Sequence, residues 1–303
     1  MPPRLTLANL VLLTLPPLLW AGNAVVGRLA APLVPPLTLN LLRWLIALAV
    51  LLPLASWALR ADSGAWQRWR RFGLLGLLSV GLYNALQYLA VTTSTPLNVT
   101  LVGSSLPVFM LAMGALFFGQ TVTLRQAGGA ALSIAGVLLV LAHGDLSRLA
   151  QVQLVPGDLY MLVATATWAW YSWLLTRTGE DPPALRADWA AFLLAQVVPG
   201  VAWAALFSAG EWALASPPPV QWGWPLAAIL AYVALGPAVL AYRCWGLGVA
   251  RLGPNVAGLF INLTPLFAAL MSSAFLGELP QAHHAVAFAL IVAGILVAMR
   301  RAR

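Results

Sequence analysis

Ten apolar runs alternate with short polar breaks along the chain, at 7–29, 37–59, 72–93, 96–119, 124–142, 157–177, 188–209, 222–250, 254–277 and 283–299. A bilayer core takes roughly 20 apolar residues per spanning helix, and each run is about that long. The breaks carry turn chemistry: Pro35-Pro36, Thr92-Thr93-Ser94-Thr95-Pro96, Pro182-Pro183 and Pro217-Pro218-Pro219. Short links of this kind make neighbouring helices antiparallel. The pattern predicts an all-α integral membrane protein of ten transmembrane helices.

Composition excludes the soluble alternative. Of 303 residues 61% are hydrophobic and 8% charged, whereas soluble domains carry about 25% charged residues. The net charge of +8 comes from arginine alone, since no lysine is present. Those arginines lie between apolar runs, where the positive-inside rule accounts for them, so nucleic acid is not an expected partner. With the N-terminus inside, Arg4, Arg60, Arg68, Arg70, Arg71, Arg125, Arg177, Arg186, Arg251, Arg300, Arg301 and Arg303 all fall on the cytoplasmic side. Only Arg148 falls in an outer loop, and the bias predicts that both termini are cytoplasmic. The first run is too long for a signal-peptide core and is expected to be retained. Cys244 is the single cysteine, so no internal disulfide is possible. The glycines Gly73, Gly76, Gly81, Gly128, Gly129 and Gly136 are expected to be sites of close helix packing.

The chain repeats itself. Residues 95–140 superpose without a gap on 253–298, a shift of 158, with 13 of 46 positions identical. Among them are Pro96/Pro254, Pro107/Pro265, Phe109/Phe267, Met113/Met271, Phe117/Phe275, Gly119/Gly277 and Gly136/Gly294. A weaker match pairs Trp20-Ala21 with Trp168-Ala169. The division predicts a first five-helix repeat over 1–150 and a second over 151–303. Five is odd, so the second repeat enters the membrane inverted, an arrangement characteristic of secondary carriers with a midplane site between the halves.

Pro96-Leu97-Asn98-Val99 through Leu106-Pro107-Val108-Phe109, Phe117-Phe118-Gly119-Gln120-Thr121 and Gly128 to Val137 resemble the EamA-type domain of the drug/metabolite transporter superfamily. The second copy, Leu276-Gly277-Glu278 followed by Ala293-Gly294-Ile295, has a glutamate where the first has Gln120. Trp20-Ala21-Gly22-Asn23 and Leu42-Arg43-Trp44 look like the first and second helices of that family. The resemblance implies a transporter of small metabolites. The nearest branch in overall look is the bacterial inner-membrane exporters of aromatic and other neutral amino acids.

Polar groups at mid-span are costly unless they face a partner or a wet cavity, so they are candidates for the substrate site. In the third span Tyr83 and Gln87 share one helical face, and Asn84 and Tyr88 the next. Ser104 aligns with Asn262, each three residues before the paired prolines Pro107 and Pro265. A proline inside a helix cannot bond the carbonyl four residues back. The two positions are therefore expected to be loosened, with Gly103 and Ile261 offering free carbonyls. Trp20 and Trp168, aligned by the weak repeat, join Asn23, Tyr171 and Tyr242 as residues expected to contact substrate; packing or interfacial roles are the alternative for each. Ser133 is expected to be a packing residue. Arg43 and Arg243, within spans, are expected to snorkel or bridge helices rather than bind ligand.

The acids Asp62, Asp145, Glu180, Asp181 and Glu211 are expected in loops, with Asp158, Asp188 and Glu278 at span ends. No carboxylate is expected at depth, which disfavours proton-coupled drug export and favours a facilitator driven by the substrate gradient. An intramembrane hydrolase is the distant alternative. Gly103-Ser104-Ser105 is a faint protease-like motif, but His143, His283 and His284 fall at the outer boundary, out of reach of Ser104. No cofactor or metal site is expected. The expected partners are a small-molecule substrate and the lipid bilayer, with the chain acting as a monomer.

Overall fold

The computed structural model describes residues 6–94, 96–151, 155–276 and 282–299. Glu278, Gly277 and the arginines at 4, 300, 301 and 303 lie outside them. Among the described residues every regular element is helical. The principal ones are α1 (Leu7–Ala30), α2 (Pro36–Ala55), α3 (Trp66–Thr93), α4 (Pro96–Gly103), α5 (Leu106–Phe117), α6 (Leu124–Leu141), α7 (Pro156–Leu174), α8 (Trp189–Ala215), α9 (Trp224–Leu252), α10 (Pro254–Phe260), α11 (Thr264–Leu276) and α12 (Ala282–Met299).

Among the described residues eight helices are long and apolar enough to cross a membrane: Pro36–Leu59, Trp66–Thr93, Val99–Phe117, Leu124–Leu141, Trp189–Ala215, Trp224–Leu252, Pro254–Met271 and Ala282–Met299. Leu7–Asn23 is a shorter apolar helix. The helix α7 is not among them because Trp168, Trp170, Tyr171 and its threonines lower its hydropathy. It is nevertheless the most central helix, with Ala164, Trp168, Ala169 and Tyr171 all buried.

Several helix starts are closed by side chains, since the first turn otherwise leaves backbone N–H groups unpaired. Thr123 and Gln126 form a capping box at α6, and Asp188 accepts from Ala190 N and Ala191 N at α8. The start of α2 is closed from another helix. Glu211 accepts Leu37 N and Thr38 N, both at 2.9 Å. This corrects the expected loop position of Glu211, because α8 runs on to Ala215 and carries it, buried, inside a helix. The positive end of α2 compensates the carboxylate there.

At the arginine-rich end, Arg71 joins Asp181 at 2.5 Å and Glu180 at 3.1 Å, and it also donates to the carbonyls of Leu174 and Arg177. Arg186 shares Asp181. Burial pulls the Arg186 guanidinium below its ordinary pKa, and the Asp181 carboxylate opposes that shift. The knot ties the α3 entrance to the α7–α8 connection.

The most extensive helix pair is α6 with α12. A Cβ on Gly129 would lie 2.5 Å from the Gly294 carbonyl oxygen, and one on Gly136 would lie 2.8 Å from that of Ala287. The two helices therefore run antiparallel. The contacts are also reciprocal under the repeat shift of 158, which takes Gly129 to Ala287 and Gly136 to Gly294. The same holds elsewhere. Asn84 maps onto Tyr242, and the two side chains bond each other at 3.1 Å. Trp20 and Trp168 meet edge to face at 5.3 Å. First helices pack crosswise, α1 against α9 and α11, and α7 against α3, α4 and α5.

Of the glycines expected at close contacts, Gly76, Gly81, Gly129 and Gly136 are so placed, while nothing lies within 4 Å of a Cβ at Gly73 or Gly128. Gly129→Ala is expected to lower stability by about 1–3 kcal/mol through overpacking. Gly128→Ala, one residue away, is expected to be neutral or to raise it by up to about 1 kcal/mol. Thermal unfolding of the two purified variants checks the opposite signs.

Candidate functional site

Two breaks in helix geometry position the site. The fourth apolar run is interrupted rather than kinked: α4 ends at Gly103, Ser104 and Ser105 turn, and α5 starts at Leu106. Its repeat partner breaks through a 3₁₀ turn at Ile261–Leu263 between α10 and α11. Pro107 and Pro265 thus sit in the first turn of the following helix, where a missing N–H costs nothing, and not at mid-helix as expected. The second break was not anticipated. Residues Leu77–Tyr83 of α3 and Ala234–Leu240 of α9 are π-helical. They stand at equivalent places in the two halves within a residue, and π-bulges concentrate at functional sites. Trp20 Nε1 donates to Pro237 O in the second bulge at 3.0 Å.

The two interruptions, with Tyr83 from the first π-helical segment, border a cavity of about 300 Å³, at the lower end of the small-molecule range of about 300–1,000 Å³. It runs inward from exposed Ala31 and Val91 to buried Trp168 and Asn262. Of the expected residues, Trp20, Asn23, Tyr83, Gln87, Tyr88, Ser104, Trp168 and Asn262 line it, as does Pro265. Thr165, Met161 and Thr264 also line it; nothing in their sequence context singled them out.

Three expected residues lie elsewhere. Asn84 is buried behind the wall and bonded to Arg43, Ser79 O and Tyr242. Tyr171 and Tyr242 face a second cleft of about 120 Å³, on the far side of Trp168, which Arg186, Trp189, Gln196 and Arg243 also line. Trp168 packs on Tyr171 at 5.1 Å and on Tyr242 at 5.2 Å. One layer of aromatic rings therefore separates the cavity from the cleft. Pro107 borders neither; it packs near Gly258 instead.

The chemistry of the cavity's buried end is set by unsatisfied groups. Asn23 Oδ1, Asn262 Oδ1, Thr264 Oγ1 and Trp168 Nε1 are buried without hydrogen-bond partners. Asn262 Nδ2 is committed, donating to Ser133 Oγ at 3.0 Å. Ser133, expected to be a packing residue, is the group that holds Asn262 in place. Ser104 Oγ donates back to Leu101 O at 2.6 Å, which leaves it only as an acceptor. The residues walling the buried end thus carry three oxygens and one indole N–H that are buried and unpartnered, among aromatic rings.

Profile comparison of the whole chain matches the EamA-like transporter family twice, over residues 7–142 and 155–300. The chain belongs to the EamA-like transporter family. It is similar to an uncharacterized transporter of Archaeoglobus fulgidus, 26% identical and covering 94% of this chain and 95% of that one. It is also 26% identical to the aromatic amino acid exporter YddG of Ancylobacter novellus, over 78% of this chain and 77% of that protein. A probable terminal-alkyne amino-acid exporter of Streptantibioticus cattleyicolor is 28% identical over 64% and 61%. A solved crystal structure shares the fold over 96% of both chains, with a TM-score of 0.73 and 24% identity. This EamA-like chain is accordingly a multi-pass membrane transporter and not an enzyme.

Within this EamA-like carrier the arginines divide. Arg243 is exposed and lies over the Trp189 ring at 4.5 Å, as snorkelling requires. Arg43 is 0% exposed, so it does not snorkel. It bridges instead, donating from Nη1 to Asn84 Oδ1 at 3.0 Å and Tyr88 Oη at 3.3 Å.

Asn262→Leu removes one unsatisfied acceptor from the cavity and strands the Ser133 hydroxyl. Loss of a ligand hydrogen bond to a buried group costs about 1–3 kcal/mol, so substrate uptake is expected to fall roughly 5- to 150-fold. Stability should change by only about 0.6–2 kcal/mol. Ser133→Ala leaves the acceptor in place and is expected to give a smaller loss. Uptake measured beside thermal unfolding for both variants checks the order.

Proposed function

We propose that this carrier moves aromatic and other neutral amino acids across the bacterial inner membrane by alternating access between two inverted five-helix halves. The observation that carries the reading is a one-ended cavity whose buried end combines aromatic rings packed edge to face with residues that carry unpaired amide oxygens. Aromatic faces suit an apolar or aromatic side chain, and the acceptors suit an ammonium group. The names of two relatives, both amino-acid exporters, support the same class.

Antiparallel contacts between α6 and α12 that exchange with each other under the 158-residue shift support the inverted ten-helix arrangement, because a twofold axis relating antiparallel helices lies in the membrane plane. The arginine bias supports cytoplasmic termini. In that orientation the cavity mouth at Ala31 and Val91 faces outward and the Arg186–Arg243 cleft faces the cytoplasm. A single aromatic layer between them is a barrier that small ring movements can open.

The second reading is a proton-coupled exporter, for which Asp158, Asp181 and Glu211 are the buried carboxylates among the described residues. Asp181 is ion-paired with Arg71 and Arg186, and the other two are committed to helix ends. Glu211 holds the start of α2, and Asp158 accepts Val155 N at 2.8 Å and the Ser94 hydroxyl. Substrate-gradient transport is therefore the preferred mechanism.

Reconstituted into liposomes, the protein is expected to take up labelled phenylalanine down its gradient with no imposed pH difference. Unlabelled tryptophan should compete, and sugars should not. Uptake that appears only with a pH gradient would favour the second reading, with Asp158→Asn the variant to examine next.

A further inference from the structure

Arg43 carries a full charge that the packing of the protein does not use. Its Nη1 meets two neutral acceptors, Asn84 and Tyr88, while Nε and Nη2 are buried with no hydrogen-bond partner. Among the described residues no carboxylate pairs with it; the ion pairs join Arg71, Arg177 and Arg186 to Glu180 and Asp181. The Trp44 ring, 5.4 Å away, is its other neighbour of note. An unpaired guanidinium inside a membrane protein is expensive. A bridge between α2 and α3 needs two donors, which a neutral amide would supply. The charge calls for an anion.

Its position says where the anion comes from. Tyr88 is shared: its hydroxyl accepts from Arg43 and its side chain lines the cavity. The same cavity is lined by Asn23 and Asn262, whose side-chain oxygens are unpaired. One cavity wall therefore combines a phenol bonded to a buried cation with two residues that carry unpaired acceptors. A molecule bearing both a carboxylate and an ammonium is complementary to the pair.

We propose that Arg43 is the carboxylate-recognition residue of the carrier, taking an amino acid's carboxylate on its terminal nitrogens, on Nη1 in place of the Tyr88 hydroxyl and on the unpartnered Nη2, once the Tyr88 side chain turns aside. A planar carboxylate fits those two nitrogens with two parallel hydrogen bonds. The ammonium of the same molecule donates to Asn23 and Asn262. The proposal rests on the amino-acid reading above and assigns the residue that enforces it.

The test uses three labelled compounds on the reconstituted full chain: phenylalanine, phenylalaninamide, which lacks the carboxylate, and 3-phenylpropionate, which lacks the ammonium. Uptake is read together with the rise in melting temperature that each compound produces. Wild type is expected to prefer phenylalanine to the amide by at least about tenfold, since a site built for a charged group rejects analogues lacking it. Arg43→Gln should bring the two within about threefold, chiefly by loss of phenylalanine uptake.

Asn84→Asp is the second variant and does not touch the cavity wall. It sets a carboxylate at the position now 3.0 Å from Arg43 Nη1, so it should raise the melting temperature while abolishing the preference as Arg43→Gln does. If Arg43→Gln does not accumulate, Asn84→Asp decides. A folded variant that keeps the wild-type preference overturns the proposal. If wild type ignores phenylalanine but responds to 3-phenylpropionate through Arg43, the carboxylate site stands and the amino-acid reading fails. No Arg43-dependent response to either carboxylate overturns the site itself.

Discussion

Hydrocarbon offers no hydrogen bonds, and that absence organises the molecule. Every backbone group has to be satisfied within its own segment, so only helices appear among the described residues. Where a helix starts inside the protein, a carboxylate closes it, from another helix as Glu211 does for α2 or from its own first turn as Asp158 does for α7. Where a helix breaks, the break is covered, as by Trp20 on the bulge at Pro237. Attraction between spans comes from close approach of small residues, and Gly129 against Gly294 is the tightest instance of a twofold pattern.

Against that background the unsatisfied groups are conspicuous because several of them share one place. Asn23, Asn262, Thr264 and Trp168 line the cavity and each carry a buried unpaired atom, and Arg43, with two more, bonds through Nη1 to Tyr88 of the cavity wall. A buried polar atom without a partner costs about 1–3 kcal/mol. Several together are sustained where a ligand completes them. Binding sites in membrane proteins can therefore be located by the incompleteness of their hydrogen bonding. The two helix interruptions, at 104–105 and 261–263, supply the backbone freedom around the same cavity.

Much of this was legible in the sequence. The apolar runs gave the helices to within a few residues, and the phase of Pro, Phe and Gly gave the repeat whose partners later proved to touch. The aligned Trp20 and Trp168 and the aligned Ser104 and Asn262 all reached the cavity wall. What escaped was mostly a matter of reach and partners. Asn84 and Tyr88 do share one α-helical face, but only the longer Tyr88 side chain reaches the cavity, while the Asn84 amide is taken up by Arg43, Ser79 O and Tyr242. Glu211 lay two residues past the predicted end of its span, a small error that moved a carboxylate from a loop into a helix. Ser133 looked inert because its partner, Asn262, is 129 residues away, and no local pattern reports such a pair. Arg43 was assigned by cost alone, and cost does not distinguish a snorkelling arginine from one sealed at 0% exposure.

The central claim is that one aromatic layer around Trp168 separates two alternately open approaches to a common site. Single cysteines at Ala31, at the cavity mouth, and Ala250, in the opposite cleft, introduced separately in a Cys244→Ala background, report each side by their rates of thiol modification. The account predicts that an impermeant reagent reaches the two from opposite faces of the membrane. It also predicts that saturating phenylalanine shifts their rates in opposite directions. Rates that stay unchanged, or that rise and fall together, would contradict it.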